Sequence, residues 1–329
     1  MKILLTGSTG LLGNNLVRYL LDSGHQVRCA VRNRSAPALD GLDVEVSVAQ
    51  FSAQEDWRPL LEGCQAVIHC AAIIHLGWRR MEEAHRVNVE VTRQIAQAAR
   101  ATQSRLIHVS SVDTLAHSPD QTPIDEDVTE PLCPPCNYVV TKTGAEQAIH
   151  QELEKGLDAV IVHPGFMLGN WDWKPSSGKL LIAIAKKQIP LAPAGGCCAV
   201  DVMDVVRGIT SALSLGKSGE HYILGGHNLT YRELFAKFQK IVGGRAPRWV
   251  LPPAAARVGG FLGDSLTRIL GRETDFNSAM LQMGQLFHFY QSTKAIAELD
   301  YAISPLEPAI EKNWEFVEWH HLKLKQNQD

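Results

Sequence analysis

A doubly wound parallel α/β sheet followed by a smaller, mostly helical lobe is the fold this sequence predicts, on three observations. Short apolar runs alternate with longer amphipathic ones through the first 165 residues, the mark of repeated β-α-β units. The apolar runs carry few charges, as strands do when helices cover both faces of a sheet. After Gly165 the rhythm changes: proline and glycine crowd 164–196, and beyond 225 the chain reads as helices joined by irregular segments.

Taken in order, strands are expected near 2–6, 26–31, 44–47, 66–70, 105–109 and 158–162, with helices near 11–23, 54–62, 82–101 and 138–155. Ser52 with Glu55 three residues on forms a capping box for the second helix. Thr230 with Glu233 starts another, and Ser304 with Glu307 a third, with Pro305 at its first helical position. The stretch 252–270, rich in small and apolar residues, fits either a membrane-surface helix or a half-buried helix of the second lobe, since it also carries Arg257, Asp264 and Arg268.

Composition narrows the function. The 329 residues hold 32 basic against 35 acidic side chains, a formal charge of −3, which offers no strong field to nucleic acid or anionic lipid. The start, MKILLTGSTG, is too short an apolar run for a secretory leader. No run elsewhere reaches the roughly 18 apolar residues of a membrane span. A cytoplasmic protein is expected. Seven cysteines without a leader favour reduced thiols over a disulfide framework.

T-G-S-T-G-L-L-G follows the first strand and opens a helix, with Gly7, Gly10 and Gly13 accompanied by Thr9, Leu11 and Leu12. The first glycine permits a tight turn, the second close approach of a pyrophosphate, and the third packing of helix on strand. The helix start then offers amide donors to the phosphates. This loop makes residues 1–165 a dinucleotide-binding domain, completed by about 195–225, and leaves 166–194 and 226–329 as a substrate-binding lobe. At the end of the second strand stand Arg32 and Arg34, with no acid before Asp40. An arginine there accommodates a 2′-phosphate, which favours NADP(H) over NAD(H).

Tyr138 and Lys142 are four apart, hence on one face of a helix. The strand ending LIHVSSV sets Ser110 and Ser111 at the carboxyl edge of the sheet, where open α/β folds bind ligands. A serine can hold a carbonyl oxygen while a tyrosine delivers the proton. An unperturbed tyrosine, with a pKa of about 10, needs a cation such as Lys142 beside it.

These motifs resemble the extended short-chain dehydrogenase/reductase family, in particular its dihydroflavonol-4-reductase-like branch. The likeness is carried by TGSTGLLG, AVIHCAA, Asn88, HVSSV, YVVTK and HPGFMLG, and more loosely by KPSSGKL and YILGGHNLTYREL in the second lobe. The resemblance implies a Rossmann-type domain with Ser111, Tyr138 and Lys142 catalytic and Lys142 also on the nicotinamide ribose. It implies Ala71 and Ala72 beside the pyrophosphate and ribose, and Pro164 to Phe166 bordering the nicotinamide. Gln50, next to Phe51, stands where the family usually has an aspartate for the adenine. Ala116 replaces a common glycine, and His163 a common arginine, as a strand-end residue without chemical role. Relatives occur as monomers or as homodimers formed through helices like 82–101 and 138–155.

Cys133 and Cys136 flank two prolines, and neither a redox helix nor a four-ligand zinc set accompanies them. Cys197 and Cys198 are adjacent, and His69 and His163 lie on strands, so no metal is expected. Three activities remain: a reductase of a ketone or aldehyde, or its reverse; a nucleotide-sugar epimerase or dehydratase retaining NAD; and a cofactor-sensing regulator. Relatives of the last kind lack the tyrosine and lysine, and Val112–Asp113 lacks the dehydratase acid pair, Asp113 reading as a loop or capping residue. Trp171 and Trp173, where the second lobe begins, suit either an aromatic or hydrophobic substrate or packing between lobes. A diphosphate calls for convergent arginines, which the spread of Arg232, Arg245, Arg248, Arg257, Arg268 and Arg272 does not show. The expected substrate is a small carbonyl compound or alcohol.

Overall fold

The structure, a computed structural model, describes residues 1–271 and 277–323. Its first half runs β1 (Lys2–Thr6), α1 (Leu11–Asp22), β2 (Gln26–Val31), β3 (Glu45–Val48), α2 (Arg58–Leu61), β4 (Ala66–His69), α3 (Met81–His85), α4 (Val91–Thr102), β5 (Arg105–Val109), α5 (Asn137–Leu153) and β6 (Ala159–Pro164). The second runs β7 (Phe166–Leu168), α6 (Gly178–Ala185), β8 (Leu191–Ala192), β9 (Gly196–Asp201), α7 (Val202–Ala212), β10 (His221–Leu224), β11 (His227–Thr230), α8 (Tyr231–Val242), β12 (Trp249–Val250), α9 (Pro253–Leu270), α10 (Ser278–Met283), β13 (Phe287–His288), α11 (Thr293–Leu299) and α12 (Glu307–Val317).

Seven strands form one parallel sheet in the order β10-β6-β5-β4-β1-β2-β3, reversing direction of travel between β1 and β4. That reversal point is where such folds bind ligands. Alternation along each strand builds two cores. Ile3, Leu5, Val27 and Ile107 pack with Leu16 and Leu20 of α1 and Val205 and Ile209 of α7. Leu4, Val67, Leu106 and Ile161 face Ile95 and Ala99 of α4 and Ile149 of α5. Each of these valine, leucine and isoleucine side chains, fully buried, contributes about 1.5–3 kcal/mol.

Between α3 and α4 the helix does not stop: Arg86–Glu90 form one π turn that joins them. A second, mixed sheet sets β9 between β11 and β13, with β7 also paired to β9. Leu181 and Ile184 of α6, Phe235 and Phe238 of α8 and Ile310 of α12 form the apolar core beneath it. No described helix is long and apolar enough to cross a membrane.

Two helix starts differ from the sequence reading. Residues 52–55 form a turn rather than a capping box, and Glu55 accepts a hydrogen bond from the Gln50 amide at 2.8 Å. Trp57, buried and edge-on to Phe51 at 5.2 Å, fixes the chain there, and α2 begins only at Arg58, whose amide donates to Asp56. Ser304 likewise caps nothing: its amide and hydroxyl both donate to the buried Asp204, at 2.8 and 2.7 Å. α12 therefore starts at Glu307, with a proline, Pro308, in its first turn. The Thr230–Glu233 capping box at the start of α8 is present in full.

Candidate active site

The glycine loop bends where β1 ends. Gly7 adopts φ +75°, and a Cβ there would lie 2.8 Å from the Ala71 nitrogen, so glycine is required on both counts. A Cβ on Gly13 would lie 2.1 Å from the Gly7 carbonyl oxygen, which is the close helix–strand packing expected of that position. Gly10 is different: its Cβ would meet nothing nearer than the Gly7 oxygen at 3.5 Å, so packing does not demand glycine there. No side chain caps α1, and its first turn holds no acid. These free amides and the positive helix end fit a pyrophosphate.

Arg32 and Arg34 at the end of β2 are exposed and make no hydrogen bond or ion pair among the described residues. Gln50 is exposed, and Phe51 holds a left-handed φ of 52° against Trp57. The Ala71 amide donates to Thr6 Oγ1 at 3.2 Å, and Ala72 follows in the same loop. Asn88, set within the π turn, receives the Ile73 amide at 2.7 Å and donates to the Ile73 carbonyl and to Thr141 Oγ1. It thus ties the loop after β4 to α5, the helix that carries Tyr138. Pro164 ends β6. Phe166 opens β7, and Gly165 between them is pressed against Cys198.

Ser111 stands just past the end of β5, and Tyr138 and Lys142 stand one turn apart in the first half of α5. The Ser111 hydroxyl accepts from the Asp113 amide at 3.2 Å and faces the Tyr138 phenol. Burial and the Asp113 carboxylate raise the Tyr138 pKa, outweighing the Ser111 contact, so the phenol keeps its proton. Lys142 Nζ donates to the Val109 carbonyl at 2.6 Å and lies 3.5 Å from His108 Nε2. Desolvation lowers its pKa to about 8, with Glu146 and Cys70 opposing. Around the tyrosine stand Leu76, Cys133, Cys136, Ala279, Met283 and Leu286, an apolar and sulfur-rich wall. Both cysteines are free and buried. Asp113 lies 3.3 Å from His288 Nδ1, a residue of β13 that the sequence did not connect with this site.

Tyr138, Lys142, Glu146 and His150 recur every fourth residue along α5, and the sequence carried that signal beyond the tyrosine and lysine. Glu146 accepts from Ser110, and its carboxylate and the rings of His163 and His221 bring ligand-capable atoms within 4.8 Å of one another. Each nitrogen of these rings has a protein partner. His163 Nδ1 lies 3.0 Å from the Ser111 carbonyl, His163 Nε2 2.8 Å from His221, and His221 3.0 Å from the exposed His150. Burial lowers both His163 and His221 to about 4, so these two imidazoles are neutral at pH 7. His69 bridges Thr6 and Thr92 within the core. Trp171 and Trp173 stack on each other. Arg18 of α1 lies over the first, and Phe316 of α12 packs on both. The structure does not bring them to the wall around Tyr138.

The buried lysine gives a pH test that needs no substrate. Its pKa is about 8 folded against the usual 10.5, so between those values the unfolded chain binds more protons at this site. Stability from this group therefore rises with pH across that window, by an amount of order 1–3 kcal/mol. Buried thiols such as Cys70, held at about 12, act in the opposite sense above pH of about 9. They are common to wild type and Lys142→Met. The difference in Tm, wild type minus variant, should grow from pH 7.5 to 10.5; a constant difference counts against a depressed lysine.

A dinucleotide cradle at the switch point of a parallel sheet, with serine, tyrosine and lysine gathered beside it, defines a nicotinamide-dependent short-chain dehydrogenase/reductase. More narrowly, the chain belongs to the NAD dependent epimerase/dehydratase family, whose profile matches residues 3–225, and is an NAD(P)-dependent enzyme of the extended type. It is 32% identical over 313 residues to the "Putative dihydroflavonol 4-reductase" of Synechocystis sp., covering 93% of this chain and 91% of that one. It is 33% identical to "Sterol demethylase protein B" of Methylococcus capsulatus, over 82% of this chain and 83% of the other. The crystal structure of gox2253, 31% identical, superimposes with a TM-score of 0.85 over 97% of this chain and 98% of that one.

Proposed function

We propose that this enzyme is an NADP(H)-dependent reductase of a ketone or aldehyde in a small, hydrophobic or aromatic substrate, or oxidises the corresponding alcohol. The apolar wall around Tyr138 carries this reading. It suits a substrate without charge, and burial there keeps the phenol protonated, as a proton donor to a carbonyl must be. Residues 166–194 and 226–329 are the substrate lobe, its contribution to the wall coming from Ala279, Met283 and Leu286.

Gly7 to Gly13 would hold the pyrophosphate, Ala71 and Ala72 its ribose side, Lys142 the nicotinamide ribose, and Pro164 and Phe166 the ring edge. Arg32 would take the 2′-phosphate, with Gln50 and Phe51 at the adenine. When bound, the nicotinamide supplies or accepts the hydride. Ser111 holds the substrate oxygen by its hydroxyl, Tyr138 Oη gives that oxygen its proton, and the protonated Lys142 stabilises the phenolate left behind. The reductase name of the Synechocystis relative agrees with this direction.

The nucleotide-sugar epimerase is the second reading. Its diphosphate calls for cations, and Lys187, Arg232, Arg245 and Arg248 do converge on a cavity of about 620 Å³. That cavity is lined on α8 by Arg232, Ala236 and Gln239 rather than by the buried Phe235 and Phe238, and shares no residue with the Tyr138 wall. Titration with NADPH, NADH, NADP and NAD separates the readings. Selective, exchangeable NADPH binding is expected, and tightly retained NAD would move the assignment to the epimerase. In Arg32→Ser, NADPH should bind about 10 to 100 times more weakly, the loss of charge-assisted hydrogen bonds of about 1.5–3 kcal/mol, with NADH nearly unaffected. Equal losses for both nucleotides would remove Arg32 from the 2′-phosphate.

A further inference from the structure

The sequence of α9 makes an amphipathic helix, but its burial is inverted. The face turned to the protein is small: Ala256, Gly260, Gly263 and Thr267 are buried, and Gly260 lies so close to Ser278 of α10 that a Cβ would come within 2.8 Å. The large apolar residues point outward. Val258, Phe261, Leu262, Leu266 and Ile269 share the solvent face, Phe261 at 70% and Ile269 at 81% exposure. Packing against the fold uses only part of these five side chains, and exposing such a patch to water is costly.

Charge indicates what covers it. Arg257 and Arg268, eleven residues and about three turns apart, lie along one border of the apolar face. Asp264, the one acid of α9, turns inward to accept from the Ser278 amide at 3.0 Å. Just before the helix, Trp249 is 74% exposed and follows directly on Arg248. Arg248 lines the cationic cavity with Lys187, Arg232 and Arg245, and no acid is among the lining residues. On its buried side α9 packs on α10, which carries Ala279 and Met283 of the Tyr138 wall. Trp78, partly exposed, donates to Ser278 Oγ at 2.8 Å, and Asn277 donates to the carbonyl of Leu76, a member of the Tyr138 wall.

We propose that α9, with Trp249 and the cavity of Lys187, Arg232, Arg245 and Arg248, is a docking surface for an anionic phospholipid bilayer. Phe261, Leu262 and Ile269 enter the acyl boundary, Trp249 sits at headgroup level, and the arginines and lysine take the phosphates. A helix with large apolar residues on one side and cations at its border lies in the interface plane rather than across it. A second copy of the chain would meet the same arginines without a carboxylate from α9 to answer them. The proposal stands whether the bound substrate is reduced or epimerised.

The test is flotation of the purified full chain with vesicles of phosphatidylcholine and phosphatidylglycerol in equal parts, against phosphatidylcholine alone. Wild type should float with the anionic vesicles, partitioning at least about ten-fold more strongly than to neutral ones. The excess should shrink at high salt. Phe261→Asp/Ile269→Asp should remain unbound while binding dinucleotide as wild type does, which shows it folded. Arg245→Ser/Arg248→Ser should lose the preference for anionic vesicles. Wild type that does not float, or a double aspartate variant that floats equally, overturns the proposal. Equal flotation on both vesicles overturns the headgroup assignment. A concentration-dependent dimer in sedimentation, abolished by the aspartates without any vesicle binding, would give this face to a second copy instead.

Discussion

Tyr138→Phe should lose between about 10² and 10⁴ of its turnover and keep its fold and its cofactor affinity. The ring is packed among Cys133, Cys136, Met283 and Leu286, and phenylalanine keeps those contacts, so Tm should move little. What disappears is a single hydroxyl, facing Ser111 and kept protonated by burial and by Asp113. A donor in that state has its proton ready for a carbonyl oxygen held by the same serine. Single-turnover hydride transfer, followed by loss of NADPH absorbance, measures the step, with equilibrium titration reporting the nucleotide separately. A variant that turns over as wild type does would reduce Tyr138 to a core residue and leave the reaction without its proton donor.

Gly13→Ala should damage both stability and dinucleotide binding, whereas Gly10→Ala should damage binding alone. At position 13 the added carbon would overlap the Gly7 carbonyl at 2.1 Å, and neither partner is a flexible side chain. α1 must lift from β1, at an overpacking cost of about 1–3 kcal/mol or more. The lift carries the helix amides away from where they face the phosphates. At position 10 the new carbon has room within the protein, so thermal unfolding should be near wild type. It intrudes only on the space where a pyrophosphate approaches backbone. Measuring Tm and NADPH affinity for the two variants separates them; equal Tm losses would mean Gly10 serves packing, contrary to this assignment.

The central sheet was legible because its inner strands are buried on both faces, which leaves short, largely apolar runs such as ILL in β1 and AVI in β4. The glycine loop and the tyrosine–lysine pair were legible because their residues are neighbours in sequence. Where tertiary contacts override local signals, the reading failed. Ser52 and Glu55 look like a cap until the burial of Trp57 is known, and Ser304 looks like one until Asp204 arrives from α7. The second sheet was invisible for a related reason: β9 gathers partners from Phe166–Leu168, His227–Thr230 and Phe287–His288, strands of two to four residues far apart in the chain. The column of Glu146, His163 and His221 likewise joins a helix to two strands. For α9 the period was readable and its orientation was not, since the pattern fits a membrane-surface helix and a half-buried one alike.

The π turn at Arg86–Glu90 has a bearing on how this part of the chain can vary. A wide turn holds one residue more than the α-helical ladder around it would need, and here Asn88 occupies it. Removing one residue could restore an unbroken run of i to i−4 bonds from α3 into α4, but only by rotating what precedes it by about a quarter turn around the axis. Asn88 could not then keep both Ile73 and Thr141 within reach. The most regular helix and a tethered loop after β4 are therefore mutually exclusive states of this segment. Gains in local helical order are available to the chain only along routes that untie the loop, so drift toward a plainer helix is steered by the site rather than by the stability of the helix itself.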